Sequence, residues 1–187
     1  MIRIGEKIPD MTFDIYFQDK IQKAKFSDYA GKWLVLIFYP ADFTFICPTE
    51  LQETALMYAE FQKLGAEVMS VSTDTAFAHK AWHDTSPAIK SIQFPMVADP
   101  SARISKEFGT YLEEEGLSTR GTFIINPDGI LKSMEMNDNS IGRNVKETFR
   151  KLQASIYVGD HVGEVCPASW SPGGETLTPN EDLIGKI

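Results

Sequence analysis

The sequence predicts an α/β fold built on a mixed central sheet with helices on both faces. Lys32 to Tyr39, "KWLVLIFY", is a short and nearly continuous apolar run rich in aromatic and branched residues, as expected of a strand buried on both faces. Thr49 to Leu64 places Leu51, Ala55, Tyr58, Ala59 and Phe61 at helical spacing and is closed by Gly65. Ala66 to Ser72, "AEVMSVS", reads as the next strand, so the three segments form a βαβ unit with parallel strands and a right-handed crossover.

Further along, Phe77 to Asp84 reads as a second helix, Phe94 to Ala98 as a third central strand and Ser101 to Phe108 as a short helix. The rhythm then changes. Thr122 to Asn126 and Ile130 to Glu135 flank Asn126-Pro127-Asp128-Gly129, turn chemistry that joins antiparallel neighbours. Asn144 to Tyr157 is amphipathic, with Val145, Phe149, Leu152 and Ile156 on one side. Beyond Gly159 the chain becomes rich in Gly and Pro and loses its period, so residues 1–159 are expected to form one domain and residues 160–187 an extended arm ordered by another surface.

At 187 residues the chain is long enough to bury a real core in a single domain. Its composition, 43% hydrophobic and 24% charged, is that of an ordinary globular protein and indicates neither a membrane span nor wholesale disorder. The formal net charge of -8, with 18 Lys and Arg spread along the chain, argues against a nucleic-acid-binding face, which needs a clustered cationic patch. Met1 to Lys7 carries no apolar run of signal-peptide length, which leads to the expectation of a reducing cytoplasm. There a pair of cysteines is more often catalytic or redox-active than a permanent staple.

One of the two cysteines stands in Phe38 to Glu50, "FYPADFTFICPTE", after four aromatic residues and directly before a proline. Proline is tolerated at the first helical position, where its missing N–H would have no partner. If Pro48 takes that place, Cys47 is the N-cap, its sulfur accepting amides of Thr49 or Glu50 while Glu50 reaches back as in a capping box. The helix dipole and unpaired amides favour a thiolate there, and the aromatics oppose it by desolvation. A lone Cys in apolar company is as a rule a small buried hydrophobe; the cap geometry and the paired cysteine point instead to a reactive thiol.

Acidity alone would achieve little. Lowering a thiol from about 8.5 to about 6 raises the thiolate fraction at pH 7 roughly 30-fold, and a Brønsted slope near 0.5 takes back about 18-fold in nucleophilicity. A fast reaction therefore needs donors aimed at charge that develops in the transition state. Thr44, three residues before Cys47, offers a hydroxyl, and a cation from elsewhere in the chain would complete the set.

Pro40-x-x-x-Thr44-x-x-Cys47 is similar to the active-site signature of the peroxiredoxins, and the wider stretch resembles the alkyl hydroperoxide reductase C-subunit branch of the typical 2-Cys group. The likeness extends through "VSTDTAFAHKAWH", "RGTFIINPDGI", "GEVCPASW" and the final "DLIGKI". It implies a thioredoxin-like fold with Cys47 as the peroxidatic cysteine, Pro40 shielding it, Thr44 hydrogen-bonding peroxide and sulfur, and Arg120 stabilising thiolate and transition state. It implies Cys166 as the resolving cysteine, contributed by the partner subunit of a homodimer; spacing alone does not separate that from a bridge within one chain. It further implies hydroperoxide substrates, reduction by an external dithiol protein (a flavoprotein disulfide reductase of the AhpF type or a thioredoxin-like protein), and decameric rings joined near Phe77 to Trp82. Relative to hyperoxidation-sensitive members, Glu114-Glu115-Gly116-Leu117 replaces a Gly-Gly-Leu-Gly loop and no Tyr-Phe helix follows Cys166, which predicts a robust enzyme.

His79 and His83 lie one helical turn apart, a spacing that can bind a metal, yet no third ligand accompanies them in a motif, so they read as helix-surface residues and no metal is expected. Trp33, Trp82 and Trp170 read as packing residues. There is no Gly-x-Gly-x-x-Gly or Walker loop, hence no expected nucleotide cofactor, and no Cys-x-x-Cys of a thioredoxin-like reductase. General thiol–disulfide exchange and a redox-gated chaperone ring are the competing functions: the first leaves Cys47 unmodified by peroxide, the second survives Cys47→Ser.

Overall fold

The computed structural model describes residues 1–187. The βαβ unit is present, with β3 over Trp33–Phe38, α1 over Cys47–Lys63 and β4 over Ala66–Ser72. Strands β3 and β4 run parallel, Trp33 opposite Ala66 and Phe38 opposite Val71. The α1 C-terminus is closed by Gly65 at φ 70, its amide donating to the Gln62 carbonyl at 2.9 Å; this left-handed conformation costs glycine nothing.

The sheet has seven strands in the order β2-β1-β5-β4-β3-β8-β9, where β1 is Thr12–Phe17, β2 Lys20–Lys25, β5 Met96–Ala98, β8 Arg120–Ile125 and β9 Leu131–Asn137. Strand β5 is parallel to β4, whereas β1, β8 and β9 enter antiparallel. The sheet is mixed, as the sequence predicts. The β1–β2 hairpin was not legible: its corner, Gln18-Asp19, has both residues at positive φ, 50 and 61, without the glycine that usually marks such a turn. The turn after β8 follows expectation, with Asn126 Oδ1 accepting the amides of Asp128 and Ile130.

Helix α2 spans Ala76–Thr85 with Thr75 as its N-cap, and α3 spans Arg103–Phe108. Alternate side chains of the central strands are buried to both sides. Leu34, Leu36, Phe38, Met69, Val71 and Phe123 pack in one cluster with Ile104 and Phe108 of α3, while Val35, Ile37 and Val68 are equally buried. This double burial is why the strands read as apolar runs and not as alternating ones. Phe38, Phe108 and Phe123 meet at ring-centroid distances of 4.9 to 5.3 Å, a geometry that adds to area burial.

Residues 1–145 form one compact unit and residues 146–187 a second. A two-stranded ribbon, β6 (Tyr111–Leu112) and β7 (Leu117–Ser118), completes the strands of the first unit. The second contains nearly all of α4, Val145–Asp160, together with the tail. The tail holds more internal order than its composition suggests. Val165 and Leu177 exchange backbone hydrogen bonds at 2.9 and 3.1 Å, Arg150 Nη1 donates to the Trp170 carbonyl at 2.5 Å, and Glu164 accepts from both Tyr157 and Thr176 hydroxyls. No helix is long and apolar enough to cross a membrane.

Candidate active site

Cys47 lies at the start of α1, fully buried. It is not the N-cap. Ile46 occupies that position in helical geometry, Cys47 is the first helical residue and Pro48 the second. The amides of Thr49 and Glu50, expected at the sulfur, donate to the Ile46 carbonyl at 3.0 and 3.2 Å. The reason is steric economy: Pro is as acceptable at the second position as at the first, because both N–H groups lack an intrahelical acceptor. Nor do the four flanking aromatics enclose the thiol. Phe38 and Tyr39 are buried, but Phe43 and Phe45 are 59% and 91% exposed.

The donor at the sulfur comes from β8, the strand paired antiparallel with β3. Arg120, first residue of β8, sends Nη1 to within 3.4 Å of Cys47 Sγ. Its Nε and Nη2 both donate to the Asn139 carbonyl, at 3.0 and 2.8 Å, which fixes the plane of the guanidinium. The same Nη1 donates to Glu50 Oε2 at 2.5 Å. Glu50, one helical turn from Cys47, is therefore no capping-box residue; its carboxylate faces inward and joins two arginines.

Arg143 is the second. Its backbone amide and Nε donate to Glu50 Oε1 at 2.9 and 3.0 Å, Nη1 donates to the Gly121 carbonyl and Thr122 Oγ1 at 3.0 Å each, and Nη2 to the Phe38 carbonyl at 2.5 Å. Burial pushes this guanidinium below its ordinary value, and the Glu50 carboxylate pulls it back up. Sequence reasoning missed Arg143 because its partner is 93 residues away and nothing local marks it.

These groups set the electrostatics. Two guanidiniums stay protonated in proteins, and one carboxylate lies between them, so the cluster carries one surplus positive charge. An anionic sulfur at Cys47 neutralises it; a neutral thiol leaves a buried cation uncompensated.

The remaining residues singled out in the sequence fall as follows. Pro40 is buried immediately after Tyr39. Thr44 is half-buried and spends its hydroxyl proton on the Ala41 carbonyl at 2.8 Å, so towards a substrate it can only accept. Cys166 is half-buried in the second unit, and both cysteines are free thiols. Burial pushes the Cys166 thiol up, with Arg150 drawing it back and Glu164 adding to the rise. His79 is not on the helix surface: it is completely buried, bonded to Asp42. Trp82 and Trp170 are buried as packing residues, and Trp33 is half-buried.

A thioredoxin-like α/β sheet that sets a buried thiol at a helix start against a fixed guanidinium defines a class of thiol-based oxidoreductases. Comparison with known proteins is specific within that class. Residues 4–134 match the AhpC/TSA family. The chain is 49% identical over 187 residues, the whole of both chains, to alkyl hydroperoxide reductase C of Pseudomonas aeruginosa. It is 54% identical over 161 residues, 86% of each chain, to alkyl hydroperoxide reductase C of Amphibacillus xylanus. Among solved structures, AhpC of Enterococcus faecalis aligns with a TM-score of 0.87 at 44% identity, covering 89% of this chain and 100% of that one. The reduced 2-Cys peroxiredoxin of Plasmodium vivax aligns at 0.90 with 29% identity, covering 96% and 94%. The chain belongs to the AhpC/TSA family, and the enzyme is a peroxiredoxin.

Proposed function

We propose that the enzyme reduces hydrogen peroxide and organic hydroperoxides through Cys47, with Cys166 of a second copy as the resolving thiol. The observation that supports this most directly is the surplus charge of Arg120 and Arg143 over Glu50 at a buried sulfur.

In the first step the Cys47 thiolate attacks one peroxide oxygen. The S–O bond forms as the O–O bond breaks; sulfur is oxidised to a sulfenic acid, and the departing oxygen leaves as water or an alcohol after taking a proton. Arg120 Nη1, already pointed at the sulfur, is placed to meet charge that develops on the peroxide oxygens. Thr44 Oγ1, its own proton committed to Ala41, accepts the substrate O–H and thereby orients it. Pro40 closes the pocket against water.

In the second step the sulfenic acid condenses with the Cys166 thiol of the partner, forming the disulfide and releasing water. Cys47 is fully buried, so α1 must unwind at its head before the sulfurs can meet. An external dithiol protein, a flavoprotein disulfide reductase of the AhpF type or a thioredoxin-like protein, then reduces the disulfide by exchange. Residues 1–159 act as the peroxidase domain and residues 160–187 as the arm that carries Cys166. The exposed Phe43 and Phe77 suit a homodimer that assembles further into a decamer, in the cytoplasm.

Stopped-flow oxidation by hydrogen peroxide and by an organic hydroperoxide tests the reading in wild type, Cys47→Ser and Cys166→Ser. The expected result is rapid oxidation in wild type, none in Cys47→Ser, and a stable sulfenic acid in Cys166→Ser. Non-reducing electrophoresis should show the disulfide joining two chains. Wild-type reactivity no better than that of free cysteine would overturn the assignment.

A further inference from the structure

Asp42 and His79 form a buried pair that the chemistry at Cys47 does not use. Their side chains are 1% and 0% exposed, and His79 Nδ1 lies 2.8 Å from Asp42 Oδ2. The other carboxylate oxygen, Oδ1, accepts the Tyr39 hydroxyl at 2.7 Å. His79 Nε2 stands 3.1 Å from the carbonyl of Val97 in β5. A carbonyl can only accept, so Nε2 carries a hydrogen, and the short Nδ1–Oδ2 approach requires one more proton between the two groups. The pair therefore shares a proton and is neutral as a unit, which is how a carboxylate is accommodated in so dry a place.

The position of this pair gives it a role. Asp42 is in the approach loop to Cys47, two residues before Thr44, while His79 is in α2. Asp42 is anchored a second time through its backbone amide, which donates to Asp74 Oδ2 at 2.9 Å; Asp74 is held in turn by Ser72 Oγ at 2.7 Å. Immediately after Asp42, Phe43 has φ 56. A bulky residue adopts that conformation only where its surroundings impose it. Asp42 pinned from three sides before it, and Thr44 bonded back to Ala41 after it, supply that constraint.

We propose that the Asp42–His79 pair is a latch on the Cys47 loop, holding it in the peroxide-reducing conformation, and that its release is a step of the opening that presents Cys47 to a second thiol. This rests on the reaction sequence given above. Asp42 and His79 are positioning residues; neither touches sulfur or substrate. Release lets Phe43 leave its strained conformation, so an unlatched loop opens more readily and is less well arranged to react with peroxide.

The latch thus predicts opposite changes in two rates, where a merely structural role would slow both. In His79→Leu the sulfenic acid step should slow about tenfold and disulfide formation should speed up at least threefold, both followed by stopped-flow fluorescence of the full chain. Tyr39→Phe, which keeps the ring and removes one bond, should change both rates in the same directions by about threefold and decides the matter if His79→Leu does not fold. Asp42→Asn can keep the whole chain of bonds, Oδ1 accepting from Tyr39 and Nδ2 donating to a neutral His79, so it should stay close to wild type in both steps. Hydrogen exchange over residues 40–50 without peroxide should be faster in His79→Leu and Tyr39→Phe than in wild type and Asp42→Asn. This last readout separates the latch from the peroxidase reading, since it holds or fails whether or not Cys47 reacts with peroxide. Rates that fall together, or unchanged exchange in Tyr39→Phe, would overturn the proposal.

Discussion

Glu50 and Arg143 meet twice, the backbone amide and Nε of the arginine both donating to Oε1 of the carboxylate at 2.9 and 3.0 Å. With Oε2 given to Arg120 at 2.5 Å, both oxygens of the carboxylate are used by a cation or an amide. Glu50→Gln must turn its NH₂ group towards one of these donors. Breaking a buried charge pair by removing one partner costs about 3–5 kcal/mol, so urea unfolding should show a loss of that order. The peroxide rate should fall by roughly 10²-fold, because Arg120 loses one of the contacts that aim it. An unchanged rate at lowered stability would mean that Asn139 alone orients Arg120.

Arg120 uses three of its nitrogens, two on Asn139 and one shared by Glu50 and Cys47. Lysine offers a single ammonium and cannot reproduce that fork. Arg120→Lys should therefore lower the second-order rate with hydrogen peroxide by about 10²–10³-fold, the scale for losing one preorganised donor. The accompanying test is alkylation of Cys47 by iodoacetamide, which makes no comparable demand on a donor at the leaving oxygen and should change far less. Equal losses in both reactions would place the role of Arg120 in the ground state of the sulfur.

What the sequence reveals, and what it withholds, follows from range. Strands β3 and β4 and helix α1 are legible because both faces of the strands are buried and the helix carries its apolar period. Cys47 and Arg120 are legible through the family's motif. The β1–β2 hairpin is not, since Gln18-Asp19 adopts positive φ without glycine and β2 is almost wholly exposed. Glu50 is legible only as a local cap, because helix rules consider only near neighbours. Arg143 and the inward turn of His79 depend on partners 93 and 37 residues distant, and no periodicity encodes those.

Cys166 titrates under conditions set by its own unit. Burial and Glu164 raise the thiol above its ordinary value and Arg150 opposes them. A thiol held up in this way is mostly protonated at neutral pH and so reacts slowly with electrophiles there. In Cys47→Ser, iodoacetamide labelling of Cys166 should be slow at pH 7 and still rising above about 8.5, the ordinary thiol value. A plateau reached below that pH would contradict the burial argument.

Glu164 ties the tail together. It accepts from Tyr157 at 2.8 Å and from Thr176, and these two hydrogen bonds hold its carboxyl below the usual carboxylate range. The folded value being depressed, the ionised group favours the ordered tail at any pH above about 4.3, and that contribution is lost as pH falls through the lowered folded value. Tyr157 also stacks on His161 at 3.9 Å and leans on Trp170 at 5.0 Å, so loosening Glu164 should be felt on both sides of Cys166. Hydrogen exchange over residues 161–177 should accordingly be slow and constant between pH 5 and 8, after correction for intrinsic rates, and accelerate below about pH 4. Glu164→Gln keeps an acceptor for both hydroxyls without a titrating group, so its corrected profile should stay flat through the acid range. Acceleration that persists in Glu164→Gln would assign the acid sensitivity of the tail to another group.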